Sequence, residues 1–266
     1  MVLDPIYLAT AVEAALDAGR THRAYFRRPL TIEKKGPIDL VTAADLAVER
    51  SFRELIATRF PAHVVLGEES PAPDAASPFR WIIDPVDGTT NFAHGLALFC
   101  VSIALEVNGV VLVGVVYDPI ADELFTAERG QGARLNGHRI HVTHESALID
   151  ALLCTGFPYA SQNQRQSEVT LFSAFLAEAR AVRRLGSAAL DLSYVAAGRL
   201  DGFWEERLHA WDIAAGALIV TEAGGTISNL AGGPLDLARG DIVASNGAVH
   251  SAMRQVIDRE RGQSAG

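Results

Sequence analysis

The chain has 266 residues, 49% hydrophobic and 21% charged, with a formal net charge of -9. That length and apolar content suffice for a sizeable core in one domain or two tightly joined subdomains, and exclude a disordered or fibrous chain. The acidity argues against a broad nucleic-acid footprint, which needs a basic face, and no apolar run reaches the length of a membrane span.

In chain order, Asp4-Pro5 reads as an N-cap pair opening an amphipathic helix from Pro5 to about Arg28, with no signal-peptide pattern ahead of it. A second helix is expected from Thr42 to about Arg59. Its start, Thr42-Ala43-Ala44-Asp45, has capping-box spacing, in which Asp45 serves the helix's own backbone. From Val64 to Val142 the pattern turns to strands. Val64-Val65-Leu66 runs into GEES (67–70), which puts Glu68 and Glu69 at a strand end, and Pro71 to Pro78 reads as a surface loop. Trp81-Ile82-Ile83 reads as a buried strand that Pro85 stops, with Asp84 at its carboxyl end and Asp87-Gly88-Thr89-Thr90 turning into a helix N-terminus. Apolar runs from Phe99 to Glu106 and from Val110 to Tyr117 flank an Asn-Gly hairpin signal at Asn108-Gly109, and Glu123 to Ala127 follows as a strand. Beyond residue 147 strands and helices alternate. ALLCTGF is followed by a helix near Glu168 to Arg180, a small-residue helix from Ser187 to Ala197, and DGFWE. An apolar helix then opens at Trp211 and can close at Gly224, before GGTISNL, DIVASN and a terminal helix from Ala248 to about Arg259. The change of style divides the chain into 1–146 and 147–266, packed as one unit. Cys100 and Cys154 lie in apolar runs, which predicts buried free thiols and a reducing, cytoplasmic setting.

The chemistry concentrates in acids at element ends. Asp84 and Asp87 stand three residues apart with only Arg80 nearby in sequence, so in a partly desolvated place they repel unless a cation neutralises them. The plainer reading makes them a turn residue and an N-cap, Glu68-Glu69 a solvated turn, and Asp212 a first-turn partner of a helix dipole. Three such ends together point to a metal. Carboxylates with a carbonyl and water suit magnesium; no Cys or His in these motifs suggests zinc, and the calcium-loop spacing is lacking.

WIIDPVDGTTNF (81–92) and WDIAAGALIVTEAGG (211–225) closely resemble the two signatures of the inositol monophosphatase family of lithium-sensitive, magnesium-dependent phosphatases. DLVTAAD (39–45), GEES (67–70), the Asn136-Gly137 turn and RLGSAALDLSYVAAGRLDGFWE (184–205) follow the family's pattern too, so the resemblance covers essentially the whole chain. It implies a mixed α/β fold, a layered α/β/α/β/α sandwich, and a homodimer hydrolysing a small phosphate ester. Carried over by position, one magnesium takes Glu68, Asp84 and the carbonyl of Val86; a second takes Asp84, Asp87 and Asp212; a third shares Glu68. Two to three ions are thus implied. Gly88, Thr89 and Thr90 would bind phosphate through helix-start N–H groups. Thr89 and Asp45 would orient the attacking water, with Glu68 the third catalytic residue. Gly186, Ser187, Ala188 and Glu205, with Asp212, would meet the substrate; Glu206 is the alternative register for Glu205, as Lys35 is for a family lysine at Lys34. His94 and His209 are expected to be structural. DGTTNF lacks the basic or different residue of enzymes acting on 3′-phosphoadenosine 5′-phosphate or histidinol phosphate, which favours inositol 1-phosphate. Fructose 1,6-bisphosphate is the alternative substrate. A non-enzymatic binding protein would be expected to have lost ligands, and Glu68, Asp84, Asp87, Thr89 and Asp212 all stand.

Overall fold

The computed structural model describes residues 4–28, 32–34, 40–71, 76–157 and 165–263. Helix α1 (Ile6–Tyr25) begins where the Asp4 carboxylate accepts the Ile6 N–H at 3.0 Å. A short ribbon, β1 (Ile32–Lys34) antiparallel to β2 (Leu40–Thr42), leads into α2 (Ala43–Arg59). The capping box is present: the Thr42 hydroxyl accepts from the Ala44 N–H, and the Asp45 carboxylate accepts from the Thr42 N–H. Lys35 and the start of DLVT lie outside the described residues, as does 72–75 of the Pro/Ala-rich loop.

Seven strands follow in one sheet, neighbouring in chain order: β3 (Val64–Gly67), β4 (Phe79–Asp87), β5 (Cys100–Val107), β6 (Val110–Asp118), β7 (Glu123–Glu128), β8 (Gly132–Leu135) and β9 (His138–Arg139). Only β3 and β4 run parallel. Asn108 and Gly109, both at positive φ, make the tight β5–β6 turn, and Asn136-Gly137 repeats it between β8 and β9. The continuous apolar runs of β4 and β5 have a simple cause, since both faces are covered. On one side α1 and α2 lay Ala14, Ala18, Val48, Phe52 and Ile56 against Trp81, Ile83 and Ile103.

The second sheet holds β10 (Leu152–Thr155), β11 (Ala181–Arg183), β12 (Gly202–Glu205), β13 (Thr226–Ser228) and β14 (Ile242–Ser245), ordered β11-β10-β12-β14-β13. Between the sheets lie α5 (Ala188–Ala196) and α6 (Ala210–Glu222), whose small side chains allow close approach. A Cβ on Gly114 of β6 would sit 2.8 Å from the Ala215 carbonyl of α6. Helices α4 (Arg165–Glu178) and α7 (His250–Gln263) cover the far face with Phe175, Met253 and Ile257. The result is the expected mixed α/β sandwich of five layers, helices alternating with two sheets. No described helix is long and apolar enough to cross a membrane, and both cysteines are free and buried.

Two local expectations change. Pro85 does not end its strand: β4 continues to Asp87, with a register break in which Asp84 faces Ser102 and Asp87 faces Cys100. Three steps on one strand match two on the other, a bulge, and a residue without an N–H is tolerated there. The strand β11 and the β1–β2 ribbon, three residues each, carry too little periodicity to be read from sequence.

Candidate active site

The bulge sets the site. In an unbroken strand residues three apart point to opposite faces; one extra residue returns them to the same side. Asp84 and Asp87 thereby converge on Asp212, in the first turn of α6, and ligand atoms of all three lie within 4.8 Å of one another. From outside, the buried His22 of α1 fixes the bulge: its Nε2 donates to the Pro85 carbonyl at 2.8 Å, and burial lowers its pKa to about 4, which keeps the ring neutral. The Val86 N–H donates to Asp84 Oδ1 at 3.0 Å.

Asp87 is held from the start of α5. Its Oδ2 accepts from the Ser187 hydroxyl and from the Ala189 N–H, each at 2.7 Å, where α5 begins. Asp212 Oδ2 accepts from the His209 N–H at 2.6 Å, as Asp45 Oδ2 accepts from Thr42. Both aspartates sit at the third position of a capping box, so one oxygen serves the helix and the other remains for the site. The two readings of Asp45 are therefore compatible. Its Oδ1 stands 3.5 Å from the Thr89 hydroxyl, at the limit of a bond, while that hydroxyl donates to the Val86 carbonyl at 2.9 Å.

The electrostatics are those of crowded, desolvated carboxylates that repel one another. Burial, then the charges of Glu68, Asp87 and Asp212, drive the Asp84 pKa well above the usual carboxylate range. Burial and Asp87 do the same to Asp212. Burial raises Asp45 and Asp87 to about 6 against the lowering effect of their hydrogen bonds. No lysine or arginine forms an ion pair with Asp84, Asp87 or Asp212 among the described residues. Arg80, the one base nearby in sequence, is bound to Glu106 at 2.8 Å. An all-oxygen donor set this crowded fits a hard divalent ion.

These acids open into a cavity of about 430 Å³. Of the residues singled out in the sequence, Glu68, Asp84, Val86, Asp87, Gly88, Thr89, Gly186, Ser187, Ala188, Glu205 and Asp212 line it. Asp45 lies buried behind Thr89, and Thr90 is outside the wall. Glu205 faces the cavity, whereas Glu206 is paired with Arg261 at 2.5 Å. The Glu205 carboxylate lies over Gly156, where a Cβ would fall 2.0 Å from it. Of Lys34 only the backbone, in β1, is described. His94 and His209 are both exposed, and His209 also borders the cavity with its ring stacked on Trp211 at 4.6 Å. Sequence reasoning passed over Arg184 and Asp191 and reads Arg207 as an exposed loop residue without a role; all three line the wall, Arg207 being exposed as expected. Asp191 is buried with Oδ1 unpartnered, and the only signal for it was its place inside the segment from Arg184 to Glu205.

The model of the inositol monophosphatase family matches residues 4–261. The chain belongs to that family. Membership makes it a phosphatase of a metal-dependent group. The chain is 45% identical over 256 residues to the inositol-1-monophosphatase of Mesorhizobium japonicum, covering 95% of this chain and 96% of that protein. It is 44% identical over 249 residues to the Nus factor SuhB of Escherichia coli K12, covering 92% and 93%. The crystal structure of extragenic suppressor protein suhB from Bartonella henselae superposes with a TM-score of 0.91 at 41% identity, covering 96% of this chain and 99% of that one.

Proposed function

We infer that the chain hydrolyses inositol 1-phosphate to inositol and phosphate with magnesium as cofactor. The observation that carries this is the trio Asp84, Asp87 and half-buried Asp212, none of them ion-paired among the described residues and all opening on a cavity with further polar groups on its walls. Bound divalent ions there would neutralise the acids, acidify a water and polarise the ester phosphate. Asp84, Asp87 and Asp212 hold them, with Glu68 and the Val86 carbonyl completing the donor set. The Thr89 hydroxyl, turned from Val86 toward Asp45 Oδ1, would donate a hydrogen bond to Asp45 and accept one from the attacking water. The backbone from Gly88 to Thr90 offers N–H groups to the phosphate oxygens. Its helix, α3 (Thr89–Ala93), has five residues, so individual N–H groups rather than a macrodipole supply this attraction. Glu205, with Gly186 and Ala188 nearby on the wall, accepts hydrogen bonds from ring hydroxyls. The Ser187 hydroxyl is committed to Asp87, so Ser187 acts by fixing a metal ligand. Because 1–146 supplies Asp84 and Asp87 while 147–266 supplies Asp212 and Glu205, the two subdomains work as one unit.

Relatives named phosphatase and relatives named Nus factor are about equally similar to this chain, so identity does not choose between them. The intact carboxylate set favours hydrolysis. A second reading, fructose 1,6-bisphosphate, draws on Arg184 in the cavity wall, Arg207 beside it being paired with Glu168, since a bisphosphate carries a further dianion. A panel of phosphate esters assayed with magnesium, and with chelator, tests both. Preference for inositol 1-phosphate is expected; a clear preference for the bisphosphate displaces the first reading, and full activity in chelator removes the metal.

A further inference from the structure

Helix α2 carries a second buried acid one turn beyond Asp45. Glu49 is 2% exposed and lies on the same face. Its Oε1 accepts from Arg53 Nε at 2.8 Å, and its Oε2 accepts from the Glu69 N–H at 2.8 Å. Arg53 in turn donates through Nη1 to the Val65 carbonyl of β3 at 3.2 Å. The Glu49 and Arg53 side chains therefore grip β3 and the loop after it at two points, one on each side of Gly67 and Glu68. Gly67 is explained by the same contact. A Cβ there would lie 2.4 Å from Glu49 Oε2, so the carboxylate occupies the space a side chain would need.

The grip has a direct consequence for Glu68. The N–H that Glu49 accepts belongs to the peptide unit whose carbonyl is that of Glu68, so the bond fixes the orientation of that peptide and with it the direction of the Glu68 side chain. The simpler account makes Glu49 and Arg53 an i,i+4 pair that only steadies α2. Such a pair has no need of burial, of an acceptor bond to another element, or of a glycine cleared to receive it. The geometry points to Glu49 as a positioning residue that holds Glu68 toward the carboxylate cluster, its carboxylate seated over Gly67 and bonded to the Glu69 N–H. On this arrangement α2 aligns both loops of the site, Asp45 meeting Thr89 and Glu49 meeting the Glu69 amide.

This rests on Glu68 being a metal ligand, and the test separates the two claims. Mn²⁺ binding to the full chain is followed by electron paramagnetic resonance, beside the Mg²⁺ concentration for half-maximal activity and the melting temperature. Wild type, Asp84→Asn, Glu49→Leu, Glu49→Gln and Gly67→Ala are compared. Losing a residue that orients a ligand typically weakens metal affinity about 10- to 100-fold. That loss is expected for Glu49→Leu and for Gly67→Ala, with turnover at saturating Mg²⁺ falling less than affinity. Glu49→Gln keeps an acceptor for the Glu69 N–H and is expected to retain most of the affinity. Should Glu49→Leu fail to fold, Gly67→Ala, which displaces the carboxylate without removing it, carries the test. Wild-type Mn²⁺ affinity in a folded Glu49→Leu or Gly67→Ala protein, with binding lost in Asp84→Asn, overturns the positioning role and leaves the metal site standing. A Glu49→Gln protein as weak as Glu49→Leu overturns it as well. Mn²⁺ binding that survives Asp84→Asn instead defeats the metal reading itself.

Discussion

Metal and protons compete for the same oxygens, and stability should report the competition. Asp45 and Asp87 rise from 3.8 to about 6 on folding, chiefly through burial. A carboxyl whose folded pKa is raised contributes stability that is fully present below the unfolded value and is lost as pH rises through the folded one. At about 1.4 kcal/mol per unit, two such groups cost the metal-free protein on the order of 3 kcal/mol each by pH 8. Asp84 and Asp212, pushed up further by burial and by one another, add in the same sense. His22 acts oppositely: its pKa falls to about 4 through burial, so its contribution is present above 6.5 and lost as pH falls toward 4. His22 is untouched by metal, so it cancels when two curves are subtracted.

The assay is therefore a difference: melting temperature with saturating Mg²⁺ minus melting temperature in chelator, at half-unit steps from pH 5.5 to 8. A ligand at about 100 times its dissociation constant stabilises by roughly 2.7 kcal/mol. For a chain of this size that corresponds to a shift of about 5 to 10 °C at pH 8. The shift should shrink steadily toward pH 5.5, where the carboxyls hold their protons. A difference of zero throughout, or one independent of pH, would refute the account of the acids as a cation-deficient cluster.

Three further outcomes follow from the same geometry. Asp84→Asn should lower phosphate release by orders of magnitude, since this carboxylate stands at the centre of the cluster; full activity in the mutant would remove it from the chemistry. Asp45→Asn keeps an acceptor for the cap and removes a buried charge, so any loss of stability should stay below about 2 kcal/mol. Turnover should nonetheless collapse, and intact turnover would leave Asp45 a cap alone. Glu205→Gln should harm inositol 1-phosphate far more than glycerol 2-phosphate, because only the ring presents several hydroxyls to that acid; equal losses would make Glu205 structural.

The legible part of the chain was the part with long-range consistency between motif and element. The two long helices, the β5–β6 hairpin and the opening of α6 could be placed because caps, an Asn-Gly turn and apolar periodicity coincide there. The acids Asp84, Asp87 and Asp212 were visible as a set, but their convergence was not. It depends on the bulge at Pro85, and sequence signals alone favour a strand end at a proline. The commitment of Ser187 to Asp87 was hidden for a different reason: it joins residues 100 positions apart, from the end of β4 to the cap of α5. Arg184, Asp191 and Arg207 carried no spacing pattern, and only the closing of the second sheet over α5 brings them to the cavity.

The recurrence of one device in two places explains how a helix can both fold and serve the site. Asp45 and Asp212 each occupy the third position of a helix, and each accepts at Oδ2 from the backbone N–H at its start. A carboxylate has two oxygens and about four acceptor positions, so the bond that fixes the helix also fixes where the second oxygen points. Rotation about the side chain, which would otherwise scatter that oxygen, is already restrained by folding, and no separate ordering is needed when a ligand arrives. The cost falls on the free protein, where the same buried oxygens repel one another. Stability and chemistry are thus coupled at these two residues, and a substitution that relieves the repulsion, such as Asp212→Asn, should raise the melting temperature of the metal-free protein while weakening Mn²⁺ binding. A lower melting temperature in chelator for that variant would show that the cap, rather than the repulsion, dominates at Asp212.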